Sequence, residues 1–281
     1  MTRIQPVLRY PGAKWGLAPW IIRHFPPHEA YVEPFFGSGA VLLRKQPSRS
    51  ELVNDIDGAV VAFFRVLRDR PEDLAAAFAL TPYARDELRA CAVDDATLDD
   101  LERARRFAVA CWQTRGGDQG RRQPGWRFDM YGAANKSLAR TWAMLPDRIR
   151  EVAHRFAGVA IENRPALEVI GILARSGDRG RHSLVYADPP YLMGTIDPRI
   201  YKHGMREAEH VELLEALDAF QGAVLLSSYA HPLYADRLGH WTTVRRTTRN
   251  QANDVRTEVL WLNPVAARHA TLDLELTEVP A

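Results

Sequence analysis

A chain of 281 residues is long enough for one large α/β domain, or for one domain carrying a sizeable insertion. Hydrophobic residues make up 46% and charged residues 26%, which excludes a disordered or fibrous protein, and a formal net charge of only +2, taken as an average, argues against a polyanion partner. The longest apolar runs, such as Gly222–Leu226, fall far short of the roughly 18 residues of a membrane span, and residues 1–11 lack the apolar core of a signal peptide, so a cytoplasmic protein is expected. Two cysteines, Cys91 and Cys111, have no second pair or histidine cluster at metal spacing; both are read as buried small hydrophobes, with no metal site.

Taken in order, Ala30–Phe35 reads as a buried strand, Gly37–Gly39 as a tight turn, Ala40–Arg44 as the start of a helix and Glu51–Asp55 as a second strand. Strand, glycine turn, helix and strand make a βαβ unit and imply a parallel sheet. From about Ala62 to Phe156 strand signals disappear and helical stretches take over, at Glu72–Ala79, Asp86–Ala90, Leu98–Trp112 and Lys136–Leu145. This has the texture of an inserted helical domain. Strands resume at Val159–Ile161, Ser183–Ala187 and Ala223–Ser227, with a helix over Glu207–Phe220 between the last two. Trp241–Arg246 and Glu258–Leu262 are joined too briefly for a crossover helix and are expected as an antiparallel edge hairpin. The polar tail after Pro264 is expected to pack loosely.

Three motifs carry chemistry. Phe35-Phe-Gly-Ser-Gly39 follows a strand directly, so the chain turns sharply and a ligand lies against backbone. Asp55, ending the next strand, stands at the distance from this turn that suits binding of ribose hydroxyls. The glycine spacing is not the full dinucleotide fingerprint and no P-loop lysine follows, which favours a nucleoside over a phosphate-bearing ligand. Ala187-Asp-Pro-Pro-Tyr191 sits where a strand reaches the active-site edge of an open sheet. Two prolines cannot extend a strand, so the turn is expected to project Asp188 and Tyr191 outward. An exocyclic amine on a base is a poor nucleophile, because its lone pair is delocalised into the ring. Acceptors on its two hydrogens, the Asp188 carboxylate and the Pro189 carbonyl, would localise that lone pair, while the Tyr191 ring stacks on the base. Arg9-Tyr-Pro-Gly-Ala-Lys14 adds a lysine beside a Pro-Gly turn, suited to a ligand carboxylate, and an aromatic face at Tyr10.

The modest net charge hides a local excess. Residues 101–127 hold seven arginines (Arg103, Arg105, Arg106, Arg115, Arg121, Arg122, Arg127) against Glu102 and Asp118, a local +5. Arginine and glutamine read guanine and adenine edges, and scattered arginines hold phosphates. Arg121, Arg122 and Gln123 are the candidates for base readout and Arg115 and Arg127 for DNA contact, whereas Arg103, Arg105 and Arg106 taken singly read as a solvated helix face. A second basic run, Arg245, Arg246 and Arg249, is placed to clamp DNA backbone, or to protect an edge strand by charge.

The three motifs, taken in chain order and with a helical insertion between the second and third, resemble the Dam-type DNA adenine methyltransferases, the alpha group of S-adenosylmethionine-dependent amino methyltransferases. The resemblance runs through Tyr201–Leu217 to Arg256–Asn263. It implies an α/β fold with a Rossmann-like, mostly parallel seven-stranded methyltransferase sheet and a reversed edge hairpin. Residues 1–62 and 157–264 would form the catalytic domain, residues 63–156 an inserted helical target-recognition domain and residues 265–281 a tail. Carried over by position, Tyr10, Pro11, Gly12, Ala13 and Lys14 would contact the cofactor, as would Glu33, Pro34, Phe35, Gly37, Ser38 and Gly39. Asp55 and its neighbour Ile56 would hold the ribose end. Asp188, Pro189, Pro190 and Tyr191 would form the catalytic turn, with Asp188 between cofactor and base. Ala13 is a departure, since many relatives carry a second glycine there. His203 and His210 are read as helix-facing structural residues, and Ser227-Ser-Tyr229 as a candidate pocket wall to which no role is given.

The implied reaction moves a methyl group from S-adenosylmethionine to the 6-amino group of an adenine flipped from double-stranded DNA. Methylation of a cytosine amine or of RNA, and a DNA-binding module without catalysis, stay open as alternatives. The expected partners are duplex DNA and a cognate restriction endonuclease, with the chain acting as a monomer away from membranes.

Overall fold

The computed structural model describes residues 4–91, 97–115, 125–128, 137–192, 203–249 and 255–268. After a short helix α1 (Ala18–Ile22), strands β1 (Ala30–Glu33) and β2 (Ser50–Asn54) pair in parallel. A helical run follows: α2 (Gly58–Asp69), α3 (Pro71–Ala79), α4 (Arg85–Cys91), α5 (Asp100–Gln113), α6 (Leu138–Ala143) and α7 (Leu145–Phe156). The sheet then resumes with β3 (Val159–Glu162), followed by α8 (Ala166–Ala174) and α9 (Asp178–Arg181), β4 (Ser183–Ala187), α10 (Glu207–Asp218), β5 (Ala223–Tyr229) and α11 (Pro232–Arg237). It closes with β6 (Thr242–Arg249) and β7 (Val255–Leu262).

These strands form one seven-stranded sheet in the order β3-β2-β1-β4-β5-β7-β6. Five strands are parallel, and β7 lies antiparallel between β5 and β6, so the expected hairpin forms one edge. Both faces of the central strands are covered, as parallel sheets require. Along β4, Leu184 and Tyr186 enter one core with Tyr31, Phe63 and Leu225, while Val185 and Ala187 enter a second core with Leu214, Leu217 and Trp261. The first core continues into the helical run through Leu74, Trp112, Trp142 and Phe156. Among the described residues no helix is long and apolar enough to cross a membrane.

Several local readings need correcting. Ala40–Arg44 makes turns rather than a helix: the Leu43 and Lys45 N–H groups bond the Gly39 and Val41 carbonyls at 3.0 Å, but the coil goes no further. Pro47 bars helical backbone at Gln46 and ends it. Helices α2, α7 and α8 lie outside the helical stretches picked out in the sequence. The first is started by Asp57, whose side chain accepts the Ala59 N–H, and α7 by Pro146 in its first turn. Cys111 is buried, but Cys91 is only half-buried. The tail does not pack loosely at its start, since the fully buried Ala266 is held by the Asn263 side chain.

A buried charge cluster secures the glycine-turn segment to the sheet. Glu51 on β2 accepts from Lys45 Nζ at 2.5 Å and from both terminal nitrogens of Arg155 on α7, at 2.6 and 2.9 Å. Burial raises the Glu51 proton affinity, but the Arg155 and Lys45 hydrogen bonds outweigh it and hold its pKa below the ordinary value. The stabilisation is therefore present above the usual glutamate range and is lost as pH falls through the lowered folded pKa. Glu51→Ala should leave two cations unpaired and cost about 3–5 kcal/mol in urea unfolding at neutral pH. A loss under about 1 kcal/mol would show that solvent already screens the cluster.

Candidate active site

Strand β1 has β2 on one side and β4 on the other, so the chain leaves their carboxyl ends in opposite directions and opens a crevice between them. All three motifs meet there. A cleft of about 660 Å³, counted with the open solvent at its mouth, is walled by Tyr10–Lys14, Glu33, Phe35–Ser38, Asp55, Ile56, Asp188 and Pro190. Of the residues expected to contact the cofactor, two do not reach it. Pro34 is buried, its carbonyl taken by Asn54 Nδ2 at 2.9 Å, and Gly39 shapes the turn from behind. Gly39 has φ +68°, and a Cβ there would come within 2.5 Å of the Phe36 ring, so the position requires glycine on two counts.

Residues that the sequence reading missed complete the cleft. Ala40 and Val41 supply apolar wall, next to Phe36 of the expected turn. His203 lines the cleft instead of facing a helix, with Nε2 3.9 Å from Asp57 Oδ1. Asn54 is the hidden organiser: its side chain donates to the Pro34 and Arg164 carbonyls and accepts the Arg164 N–H at 2.9 Å, tying together the loops that leave β1, β2 and β3. Its only signal in the sequence is a polar residue at the end of an apolar strand.

Asp55 grips the glycine turn. One carboxylate oxygen accepts the Gly37 N–H at 2.8 Å and the other the Asp57 N–H at 2.9 Å. Burial pushes its pKa up to about 6 against those two bonds. Glu33 is pushed further, to about 8, by burial that the 2.9 Å hydrogen bond from Tyr31 only partly offsets, so it is a neutral acid at pH 7.

At the head of the Asp-Pro-Pro-Tyr turn, Asp188 Oδ2 pairs with Lys14 Nζ at 2.9 Å, and the same ammonium donates to the Gly12 carbonyl at 2.9 Å. Asp188 Oδ1 is buried with no hydrogen-bond partner among the described residues. Burial raises the Asp188 pKa to about 6, with Lys14 acting in the opposite direction. The carboxylate is thus charged at neutral pH and keeps one oxygen as an acceptor.

Tyr191 does not project outward as expected; it is only 6% exposed. Its hydroxyl donates to Glu258 Oε2 at 2.6 Å, the Lys14 ammonium lies 4.7 Å from its ring centroid, and Tyr229 meets it edge-on at 4.5 Å. The two prolines fold the turn back against the hairpin, so the ring is fastened on several sides. Tyr191, Ser228, Tyr229, His231 and Tyr234 line a second, smaller and shallow depression. His210 is structural as expected: fully buried, bonded through Nδ1 to Tyr234 at 2.9 Å, with burial lowering its pKa to about 4.

The basic stretch sorts itself by ion pairing. Arg105 is mostly buried and bridges Glu102 to Glu87, and Arg106 pairs with Glu102 at 2.7 Å, so neither is a simple solvated cation. Arg115 and Arg127 flank a bridge between Thr114 and Trp126, closed by Arg115 N–H to Gly125 and Arg127 N–H to Gln113 at 2.6 and 2.7 Å. Arg9 over Trp112 and Arg85 over Trp126, at 5.7 and 5.3 Å, extend this surface beyond the stretch noticed in the sequence. Arg121, Arg122 and Gln123 lie outside the described residues. Arg245 and Arg246 are exposed on β6, and the Arg249 side chain lies outside the described residues.

The fold and cleft define an open α/β protein with a crevice at a topological switch point and an acidic prolyl turn across it. Comparison with known proteins gives the likeness a name. Residues 10–111 match the family model described as D12 class N6 adenine-specific DNA methyltransferase. The DNA adenine methylases of Vibrio cholerae and Escherichia coli are each 33% identical, over 72 and 73 residues, spanning 26% of this chain and 26% of each relative. The chain therefore aligns with about a quarter of the length of these relatives. A solved modification subunit of a putative type I restriction enzyme from Vibrio vulnificus covers 90% of this chain and 44% of its own at 10% identity, with TM-score 0.37. The chain is similar to the Dam-type adenine methyltransferases, as its motifs indicated.

Proposed function

We propose that this chain transfers a methyl group from S-adenosylmethionine to the 6-amino group of an adenine flipped out of double-stranded DNA. One observation carries the reading: Asp188 stands in the same cleft as the glycine turn and Asp55, with one carboxylate oxygen neutralised by Lys14 and the other buried and unpartnered among the described residues. A buried unpaired acceptor is costly, and an amino N–H is the donor that satisfies it.

The cleft suits the cofactor class. Phe35, Phe36 and Ile56 offer apolar wall to a nucleoside base, the glycine turn offers close backbone, and Asp55 offers an acceptor for ribose hydroxyls. When bound, S-adenosylmethionine supplies a methyl group already activated on a sulfonium. The chain's own part is to hold and polarise the amine. Asp188 accepts one amino hydrogen and the Pro189 carbonyl the other, which draws the nitrogen lone pair out of the ring and toward the cofactor side of the cleft. The proton of the methylated ammonium then leaves to solvent or through Asp188, so no further base is required. Positioning and electrostatics supply the acceleration. Tritium transfer from the labelled cofactor to a random-sequence duplex pool, followed by identification of the methylated base, tests this reading. Label on cytosine, or label only with RNA, would replace the substrate; no label with either would overturn the reaction.

The helical run between β2 and β3 is then the target-recognition part. Its residues Arg121, Arg122 and Gln123 read bases, while Arg115 and Arg127 hold phosphates and Arg245, Arg246 and Arg249 clamp backbone. Duplex DNA is the partner this requires, and a cognate restriction endonuclease a further one. Replacing Arg115 and Arg127 together by Gln should lower DNA affinity and flatten the slope of log K against log salt by about 0.9 for each phosphate no longer neutralised. Arg106→Gln, already paired with Glu102, should leave that slope unchanged. Equal slopes for both variants would remove Arg115 and Arg127 from the interface.

A further inference from the structure

Glu258 is a buried carboxylate that the reaction above does not use. It lies on β7, opposite Tyr229 on β5 and Arg246 on β6. Cross-strand geometry offers it the exposed Arg246 as a surface partner. It is instead only 7% exposed, and its Oε2 accepts the Tyr191 hydroxyl at 2.6 Å, a length characteristic of a charge-assisted hydrogen bond. A merely packed residue at this position has no need of a charge beside Asp188, a second carboxylate.

We propose that Glu258 is a positioning residue: it anchors the Tyr191 hydroxyl, and through that ring sets the Asp188 carboxylate and the Lys14 ammonium. The mechanical link is short. Pro189 and Pro190 lock two φ angles between Asp188 and Tyr191, so the turn moves as a stiff piece and a shift at the ring is felt at the carboxylate. Lys14 closes the loop, lying 4.7 Å from the Tyr191 centroid while pairing with Asp188 at 2.9 Å. The reversed hairpin thus reaches into the site from strands that contribute nothing to the cleft wall. In its activity measurements the proposal rests on the methyl-transfer reading.

The test uses the full chain, tritiated S-adenosylmethionine and a random-sequence duplex pool. Glu258→Gln and Tyr191→Phe are each expected to lower kcat about tenfold with little change in KM, and the double variant to be no worse than Tyr191→Phe alone. The groups facing Asp188 are Lys14 from the N-terminal segment, Glu33 from β1, Tyr186 from β4, Tyr191, Tyr234 from α11 and Glu258. Removing the Glu258 charge withdraws a repulsion that favours protonated Asp188, so the acidic limb of the rate profile moves to lower pH in Glu258→Gln. A purely structural role would move neither that limb nor the cycle. Additive losses in the double variant, or a Glu258→Gln enzyme with wild-type rate and unshifted limb, would overturn the proposal. Hydrogen exchange provides an arm independent of activity: the amides of residues 186–188, 191 and 192 should exchange faster in Glu258→Ala, and unchanged exchange would also overturn it. Should the wild-type chain methylate no duplex, the methyl-transfer reading fails by itself and exchange still decides the role of Glu258.

Discussion

Asp188→Asn is expected to lower methyl transfer by about a thousandfold or more while leaving cofactor binding within a fewfold of wild type. The amide keeps size and one carbonyl oxygen, but it removes the charge that polarises the amine and breaks the 2.9 Å pair with Lys14. Because Asp188 touches the reacting amine in the proposed arrangement, the loss should fall on kcat; Asp188→Ala should do the same. The pH dependence follows from the same group. Burial lifts the Asp188 pKa to about 6, and only the ionised carboxylate carries the charge that polarises the amine, so kcat should hold above that value and fall as pH drops through it. Near-normal turnover in Asp188→Asn, or a rate independent of pH down to the ordinary aspartate range, would remove Asp188 from the chemistry.

The second large effect belongs to Asp55. Asp55→Ala takes away the acceptor of two backbone N–H groups, those of Gly37 and Asp57, as well as the acceptor proposed for ribose hydroxyls. Each N–H left unsatisfied costs about 1–3 kcal/mol, and the turn that follows β1 is free to relax away from the ligand. Cofactor affinity, measured by calorimetry without DNA, should fall at least about tenfold, which is about 1.4 kcal/mol of binding energy. Asp55→Asn, which keeps one acceptor, should lose less. Binding should also weaken as pH falls through about 6, where Asp55 takes up its proton. Unchanged affinity in Asp55→Ala would mean the carboxylate serves only the turn. Loss of kcat without loss of affinity would exchange the roles assigned to the two acids.

The cleft was largely legible in the sequence because its parts are local. A strand followed by Gly37-Ser-Gly39, an acid ending the next strand and an acid ahead of two prolines each declare a carboxyl-end loop of a parallel sheet, and such loops converge at a switch point. The run Leu184–Ala187, apolar at every position, likewise announced a strand covered on both faces. Ala40–Arg44 failed as a helix because periodicity says nothing of the proline that stops it. Helix α8, apolar nearly all round its length, offers no polar face from which to read a period.

The contacts that set orientation were illegible for a different reason. Tyr191 read as an outward stacking face, yet its hydroxyl bonds Glu258, 67 residues further on. Arg103, Arg105 and Arg106 read alike, yet Arg105 is drawn inward by Glu87 on another helix. His203 entered the cleft only through the placing of the segment ahead of α10. The amino-acid order alone determined the strands, the glycine turn, the acids at their ends and the sheet that gathers them, because backbone conformation and burial period act over a few residues. Only the tertiary structure decided which oxygen of Asp188 is left to accept, which arginines are drawn into ion pairs and what holds Tyr191. Those depend on hydrogen-bond partners brought together across the sheet, and no spacing along the chain encodes them.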